Sequence, residues 1–219
     1  MALNAQLTQI RRASSVLATA GSTKGLNIAT GTTDKIFTTV VGNDFTVLGF
    51  TTGMRLTFNS TKNPDVYTAK TVAATVIELY EDLTTSENDT YLQLTGYAMT
   101  NIGEITGWTG PQDKVAVLDV TNLLSTAKEK MIAIKDSGQV TIDLFFDEES
   151  TMQQFVRKDI TNKTLRNFDI MFNDSASLKS YIWFPGYISG FSVSGGVDTP
   201  IKANMTIEIS GGAFYTTRR

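Results

Sequence analysis

The chain contains no cysteine and no histidine, and both absences narrow its chemistry. Without cysteine there is no disulfide, no thiolate nucleophile and no cysteine-ligated zinc. Without histidine the chain lacks the commonest general base and metal ligand among the side chains. No stretch reaches the about 20 apolar residues that span a bilayer, and the N-terminus has no signal-peptide pattern. We therefore expect no cofactor, no metal and no membrane partner.

Charge is scarce as well: charged residues make up 19% of the 219 residues, and the net charge is −3. This length suits one large β domain or two small ones. A slightly acidic chain has no basic surface strong enough for tight binding to DNA phosphates. If DNA meets this protein, we expect it to slide past without specific binding.

The candidate catalytic groups have simpler structural explanations. The serines have no histidine partner and no Gly-x-Ser-x-Gly elbow. Asp147, Glu148 and Glu149 form a carboxylate cluster, but the positive end of a helix dipole explains them. No calcium-binding or phosphate-binding loop sequence is present. We expect no catalytic residue, no metal site and no enzyme activity.

Two segments alternate between apolar and polar residues with a period of two, which is typical of strands with one buried face. They are Val140–Phe146 and Ile201–Ser210. Because each segment has one apolar and one polar face, we predict that both belong to one continuous sheet with a solvent-exposed face. By itself such a face is typical of any half-exposed sheet. Its predicted polar residues are Thr141, Asp143, Lys202, Asn204, Thr206 and Glu208.

Residues 147–160 predict the single helix of the chain. We expect this helix to lie on the apolar face of that sheet. Asp147 or Ser150 could cap its N-terminus. The apolar residues at helical spacing are Met152, Phe155, Val156 and Ile160.

Residues 121–135 predict a loop that is long for a hairpin connection, and such loops are usually functional or disordered. Apolar residues are mixed with lysines along it. Exposed apolar side chains in a loop indicate either folding back onto the domain's own core or a surface that binds a partner. The residues alone leave both alternatives open.

Three segments are predicted along the chain. Residues 1–22 are small and polar, and we predict an N-terminal arm, disordered when free or forming a short helix over Leu3, Leu7 and Ile10. Residues 23–97 alternate short strands with turns, which indicates a small β module. Its candidate strands are Lys35–Val40, Met54–Asn59, Val66–Val72, Val76–Tyr80 and Tyr91–Thr95. Residues 98–219 form the main domain.

The predicted fold class is mostly β. It comprises two packed antiparallel sheets in a sandwich or barrel-like arrangement with one flanking α-helix. A small β-barrel-like insertion completes it.

An ordered set of short motifs lies at the centre of the main domain: LDVT at 118–121, AKE at 127–129 and KDSGQV at 135–140. This set resembles the IDVT, AKE and KDSGEV pattern of the major tail tube protein of long-tailed, siphovirus-type bacteriophages. Gln139 is a mild departure. The resemblance covers roughly the last half of the chain. In addition, residues 44–83 are similar to a small β module that recurs in phage structural proteins, with Phe45 and Phe50 in its core and Gly49 and Gly53 in its turns.

The resemblance implies a structural virion protein whose hexameric rings stack into the tail tube, assembled in the host cytoplasm. Its lumen would hold the tape-measure protein and conduct DNA, and further partners would be the tail terminator and the tail-tip or baseplate proteins. The polar sheet face would line the lumen, and the 23–97 module would decorate the outside. The residues that would contact the next ring or subunit are Asp119, Leu123, Leu124, Lys128, Glu129, Lys130, Met131, Lys135 and Asp136.

Two alternatives remain. One is a single-ring tail component of the same fold, such as a terminator or a baseplate hub subunit. The other is a receptor- or carbohydrate-binding β module, which would present Trp108, Trp183 and Tyr187 together on an exposed face. Trp183 lies in an apolar run, so we expect it in the core.

Overall fold

The computed structural model describes residues 8–21, 26–30, 35–38, 44–60, 62–63, 65–89, 93–122, 126–172 and 180–215. The chain divides into two compact units. The first comprises residues 1–100, 171–181 and 216–219, and the second comprises residues 101–170 and 182–215. The roles predicted for segments 1–22, 23–97 and 98–219, as arm, decoration and tube domain, stay predictions.

The protein is mostly β with antiparallel sheets, which confirms the predicted fold class, and the described residues contain one helix. The strands up to residue 101 are β1 (Gln9–Gly21), β2 (Leu26–Ala29), β3 (Lys35–Thr38), β4 (Arg55–Phe58), β5 (Val66–Val72), β6 (Val76–Leu79), β7 (Glu87–Asp89) and β8 (Gln93–Asn101). The later elements are β9 (Ile105–Thr109), β10 (Lys114–Asp119), β11 (Lys130–Asp136), β12 (Gln139–Phe145), α1 (Thr151–Asn162), β13 (Arg166–Met171), β14 (Tyr181–Ser194), β15 (Lys202–Ile209) and β16 (Phe214–Tyr215).

The first unit is a sheet with the strand order β7-β2-β3-β6-β5-β4-β8-β1. Phe45 and Phe50 are both buried in its core and meet edge to face, with ring centroids 5.6 Å apart. Gly49 and Gly53 have φ angles of +91° and +85°, a conformation that favours glycine. The predicted core and turn residues of this module are therefore confirmed.

A buried polar network within the first unit joins Tyr181, the first residue of β14, to residues of β4 and β5 and to Glu81. The Arg55 guanidinium donates to the Thr68 hydroxyl and lies 3.4 Å from the centroid of the Tyr181 ring. The Thr68 hydroxyl donates to Glu81 Oε1 at 2.6 Å, and the Tyr181 hydroxyl donates to the same oxygen at 3.2 Å. Burial raises the pKa of Tyr181 far above its ordinary value, so the phenol stays a neutral donor.

Residues Gln9–Gly21 form strand β1, so the prediction of a disordered arm or a short helix was wrong for them. Ile10 is fully buried, and Arg12 and Ala13 are buried beside it in the sequence. Leu3 and Leu7 lie outside the described residues. The strand escaped prediction because its small residues carry no clear apolar alternation. A single large apolar anchor, Ile10, does not define a period.

The second unit contains a sheet with the order β13-β14-β15-β12-β9, and β16 also pairs with β14. β12 and β15 are antiparallel neighbours, with Val140 opposite Ile207 and Ile142 opposite Met205. All four side chains are fully buried. The continuous sheet predicted from the two alternating segments is confirmed.

Helix α1 begins at Thr151, later than the sequence predicted. The Ser150 side chain accepts a hydrogen bond from the Gln153 backbone N–H at 3.4 Å and caps the helix. The acidic residues before it form a turn instead of the first helical turn, because the Asp147 carboxylate accepts the Glu149 N–H at 3.0 Å. Local side-chain hydrogen bonding therefore explains this cluster, as it does for Asp in many turns.

The buried side of α1 also differs from the predicted apolar stripe, since Phe155 is 45% exposed. Gln153 Nε2 donates to the Phe145 carbonyl at 2.9 Å, and Asp159 Oδ1 accepts from Arg166 Nη2 at 3.1 Å. These bonds satisfy two polar groups that would be costly to bury alone. The buried helix residues are Gln153, Val156 and Asp159.

The helix lies on the apolar side of the sheet, as predicted. Its Arg157 guanidinium lies 5.7 Å from the centroid of the Phe146 ring. Phe146 in turn lies 6.4 Å from the Phe191 ring, and Phe191 is opposite buried Met205 in the sheet.

We expect Ser150→Ala to destabilise the second unit by about 1 kcal/mol, because the replacement leaves a helix N–H without its cap. Ser150→Asp retains an acceptor and is the matched control. Urea unfolding followed by tryptophan fluorescence measures the effect, since both tryptophans, Trp108 and Trp183, belong to this unit. Equal midpoints for the two variants would contradict a role for the cap.

Candidate functional site: a polar sheet face and an exposed hairpin

A polar face runs across β9, β12, β15 and β14. Thr141 lies opposite Thr206 on one side and Thr109 on the other, which sets three hydroxyls in a row. In the next row Asp143 lies opposite Asn204, and Asn204 Nδ2 donates to Asp143 Oδ1 at 2.7 Å. Paired residues on adjacent strands share a face of the sheet. Four of the six predicted residues therefore lie side by side.

The other two predicted residues lie at the ends of the same face. Lys202 is opposite Phe145 and Ser194, and Glu208 is opposite Tyr187. Both charged side chains are exposed. Since Asp143 is the only other charged group among the six predicted residues, the face has two carboxylates, one ammonium and many hydroxyls.

The part of this face that β9 and β14 contribute was not predicted from the sequence. On β14 the hydroxyls of Ser192 and Ser194 alternate with Phe191 and Val193, which is a readable signal. A register shift between Ile188 and Gly190 interrupts the alternation of inward and outward side chains. The polar residues of β14 before this shift are therefore not recognisable from the sequence. The residues added to the face are Thr109, Tyr187, Ser189, Ser192 and Ser194.

Strands β10 and β11 form a two-stranded antiparallel hairpin, so the predicted long loop over 121–135 was wrong for residues 130–135, which belong to β11. Val117 is opposite Ile132, Leu118 is opposite Met131, and Asp119 is opposite Lys130. The second strand was missed because its apolar residues are consecutive. Where neither face is buried, nothing enforces alternation.

The hairpin is exposed along its length. Ile134 is 90% exposed and Ile132 is 74% exposed, and Val117, Leu118 and Met131 are each more than half exposed. These apolar side chains therefore do not fold back onto the core of their own chain. Folding back onto the core, one of the two alternatives that the sequence leaves open, is therefore wrong for these residues.

The motif residues at the end of the hairpin shape its turn. The Asp119 carboxylate accepts the Thr121 backbone N–H at 3.0 Å, and the Thr121 hydroxyl accepts the Glu129 N–H at 3.0 Å. Hydrogen bonds from the Thr121 hydroxyl and backbone hold the pKa of Asp119 below its ordinary value. Asp119, Thr121 and Glu129 are thus joined by hydrogen bonds where β10 ends and just before β11 begins. Lys128 is exposed nearby, and Leu123 and Leu124 lie outside the described residues.

The base of the hairpin is tied to the C-terminal strand. Asp113 accepts from Lys135 Nζ at 2.9 Å and from the Tyr215 hydroxyl at 3.2 Å. Buried Ser137 accepts the Ala213 N–H at 3.3 Å. At the same corner Asp136 accepts the Gly138 N–H at 2.9 Å. These contacts join the base of the hairpin to β16 and to Ala213 just before it.

The hydrogen bond from Lys135, above all, lowers the pKa of Asp113. A carboxyl whose folded pKa is lowered stabilises the fold above its unfolded pKa of about 3.9, and this contribution is lost as the pH falls through the folded pKa.

We expect the free energy of unfolding of Asp113→Asn to fall less steeply at acidic pH than that of the unaltered protein. The loss at neutral pH should stay below about 1 kcal/mol because the pair is partly exposed. Urea unfolding of both proteins between about pH 2 and pH 7 measures the difference. Parallel profiles over that range would show that the contact contributes nothing.

The aromatic cluster expected of a carbohydrate-binding module does not form. Trp183 is 3% exposed, which confirms its expected place in the core. Trp108 is opposite buried Ile142, whereas Tyr187 is opposite exposed Glu208, so these two lie on opposite faces of the sheet.

In the described part of the chain, no group of three or more acidic residues is placed to hold a metal ion. No helix there is long and apolar enough to cross a membrane.

Comparison with known proteins adds no identification. A scan against protein-family models finds no match, and a search of curated proteins finds none either.

Proposed function

We propose that this chain is the structural subunit of the tail tube of a long-tailed bacteriophage. Its hexameric rings stack, the lumen holds the tape-measure protein, and DNA later passes through without specific binding. The tail terminator and the tail-tip or baseplate proteins are its further partners. The protein resides in the virion tail after assembly in the host cytoplasm, and it makes or breaks no bond.

The observation that carries this proposal is the hydroxyl-rich face of the second unit. In a ring, this face would line the lumen. Its surplus of carboxylates over ammonium groups repels phosphate, and its neutral hydroxyls offer DNA no strong contact. The net charge of −3 also disfavours strong binding of DNA phosphates. A wall of this kind lets DNA pass at low friction.

Free strand edges in the second unit support ring closure. Among the described strands, β9 ends its sheet and pairs with β12 alone. β14 has 14 residues but its neighbour β13 has only 6, and the bond from Phe172 N–H to the Ser180 carbonyl places β13 beside the start of β14. The later half of β14 is therefore a second open edge within this unit. Joining the two edges between neighbouring copies would close a barrel and leave no edge unpaired.

The exposed hairpin supports stacking. A cluster of solvent-exposed apolar side chains is typical of a protein-binding surface. The motif residues of the resemblance lie at the turn and the base of this hairpin, where they fix its shape. Contact through the hairpin would link one ring to the next.

Light scattering coupled to size-exclusion chromatography, over a concentration series of the purified chain, tests the proposal. We expect a mass that rises from a closed ring to stacks in whole-ring steps. A single ring that never stacks would favour a terminator or baseplate hub. Monomers at every concentration would contradict self-assembly and favour a monomeric binding module.

A further inference from the structure

The rows of the polar face differ in how far their side chains project from the sheet. Glu208 lies opposite Gln139 on one neighbouring strand and opposite Tyr187 on the other, so these three side chains share one row. All three are exposed, and Tyr187 is 41% exposed. The next two rows contain only the shorter side chains of threonine, aspartate, asparagine and serine, together with glycine. The row of Glu208 therefore projects further from the sheet than the two rows that follow it.

The same row carries a carboxylate that has no cation beside it. In the described part of the chain Glu208 forms no ion pair, and the Ser189 hydroxyl lies 3.5 Å from its Oε1. Lys202 is the cation among the six predicted residues of the face. It lies six residues away along β15, which is about 20 Å at about 3.3 Å per residue. The row therefore offers an uncompensated negative charge and an aromatic ring at one place.

We propose that the row of Gln139, Glu208 and Tyr187 binds lysine or arginine side chains of a protein segment that lies along the polar face. This inference rests on the proposed tube function, in which the tape-measure protein occupies the lumen before DNA, and it assigns the contact to one row of the wall. The aliphatic stem of a lysine or arginine packs on the Tyr187 ring while its charged end reaches the Glu208 carboxylate. Because the row recurs in every copy around a ring, one basic segment meets the same pair of groups several times.

Charge favours a basic protein segment over DNA as the partner of this row. The Glu208 carboxylate repels phosphate, and the row has no cation to offset that repulsion. The other end of the face differs, because Lys202 lies there opposite Phe145 and Ser194. A phosphate group is therefore attracted to the Lys202 end, whereas a basic side chain is attracted to the Glu208 end.

Fluorescence anisotropy with a labelled helical peptide of lysine and alanine tests the proposal on the purified full-length chain. Glu208→Gln removes the carboxylate, and Tyr187→Ser removes the ring. Asp143→Asn is the matched control, because it takes one carboxylate from another row of the same face, where Asn204 Nδ2 donates to it at 2.7 Å. All three altered side chains are exposed, so the substitutions leave the buried core intact. Each variant is measured as dilute subunits and as assembled material.

We expect Glu208→Gln and Tyr187→Ser each to weaken binding to assembled material at least about tenfold, because the loss is repeated in every copy. Asp143→Asn should change the affinity by less than about threefold, because its row is shorter and its carboxylate is already paired with an amide. Equal losses from all three variants would overturn the assignment to this row. A DNA duplex that binds more tightly than the peptide at the same ionic strength would also overturn it.

Tyr187→Phe tests the role of the ring separately, since it keeps the aromatic face and should retain binding. A loss as large as that of Tyr187→Ser would show that the ring is not what binds. Light scattering on the same samples measures assembly, so the two claims fail separately. Tubes whose peptide affinity is unchanged by Glu208→Gln and Tyr187→Ser would overturn this inference alone. Monomers of the unaltered chain at every concentration would overturn the tube function, and this inference with it.

Discussion

Replacing residues 116–134 with an Asn-Gly turn is expected to leave a folded protein that forms no long tubes. The change keeps the base pairs of the hairpin, Lys114 with Asp136 and Val115 with Lys135, and removes the exposed part above them. Asn-Gly suits a two-residue hairpin turn. None of the removed side chains that the structure describes belongs to the buried core, so the free energy of unfolding should change by less than about 1 kcal/mol.

Electron microscopy of both proteins at matched concentrations measures tube length. Val47→Ser is the matched control, since it removes an exposed apolar side chain from the first unit and should leave tube length unchanged. Single rings from the truncated protein would place the hairpin between rings. Tubes of normal length from it would contradict the assignment.

Arg55→Ala is expected to cause the largest loss of stability, about 3 kcal/mol. Arg55 is 3% exposed, and its guanidinium lies against the Tyr181 ring and donates to Thr68. Its removal leaves a cavity and takes a cation away from the Tyr181 ring and from the Thr68 hydroxyl that donates to Glu81. The cost of a buried polar group that loses its partner is much larger than that of an exposed one.

Lys70→Ala is the matched control for this prediction. Lys70 also lies over an aromatic ring, at 5.9 Å from the centroid of Tyr80, but it is exposed. Its loss should cost less than about 0.5 kcal/mol. Hydrogen exchange at the amides of Leu56 and Tyr67 reports on the first unit, which contains no tryptophan. Equal effects of the two variants would show that burial does not strengthen the Arg55 contact.

The fold could be predicted from the sequence where one face of an element is buried and the other is wet. β12 and β15 satisfy this condition, so their alternation gave both the strands and their polar face. The helix was predicted as well, but its start was misplaced because the Asp147 cluster belongs to the preceding turn. Strand β1 was missed because one large buried apolar residue, Ile10, does not define an alternation.

The candidate site was only partly predictable for the same physical reason. Both faces of β11 are exposed, so Met131, Ile132 and Ile134 follow no alternation and were assigned to a loop. On β14 the alternation at Ser192 and Ser194 was readable but overlooked, whereas the register shift near Gly190 hid the contribution of Tyr187 and Ser189. Roles that depend on other copies of the chain leave no periodic signal in one sequence, so the lumen and stacking assignments remain proposals.

A cryo-electron microscopy reconstruction of the purified, assembled chain shows which side of the second unit's sheet faces a pore. We expect a hollow tube of stacked rings whose pore is lined by Thr141, Thr206 and Glu208. Compact monomers at every concentration, or a tube with these side chains on its outer surface, would contradict it.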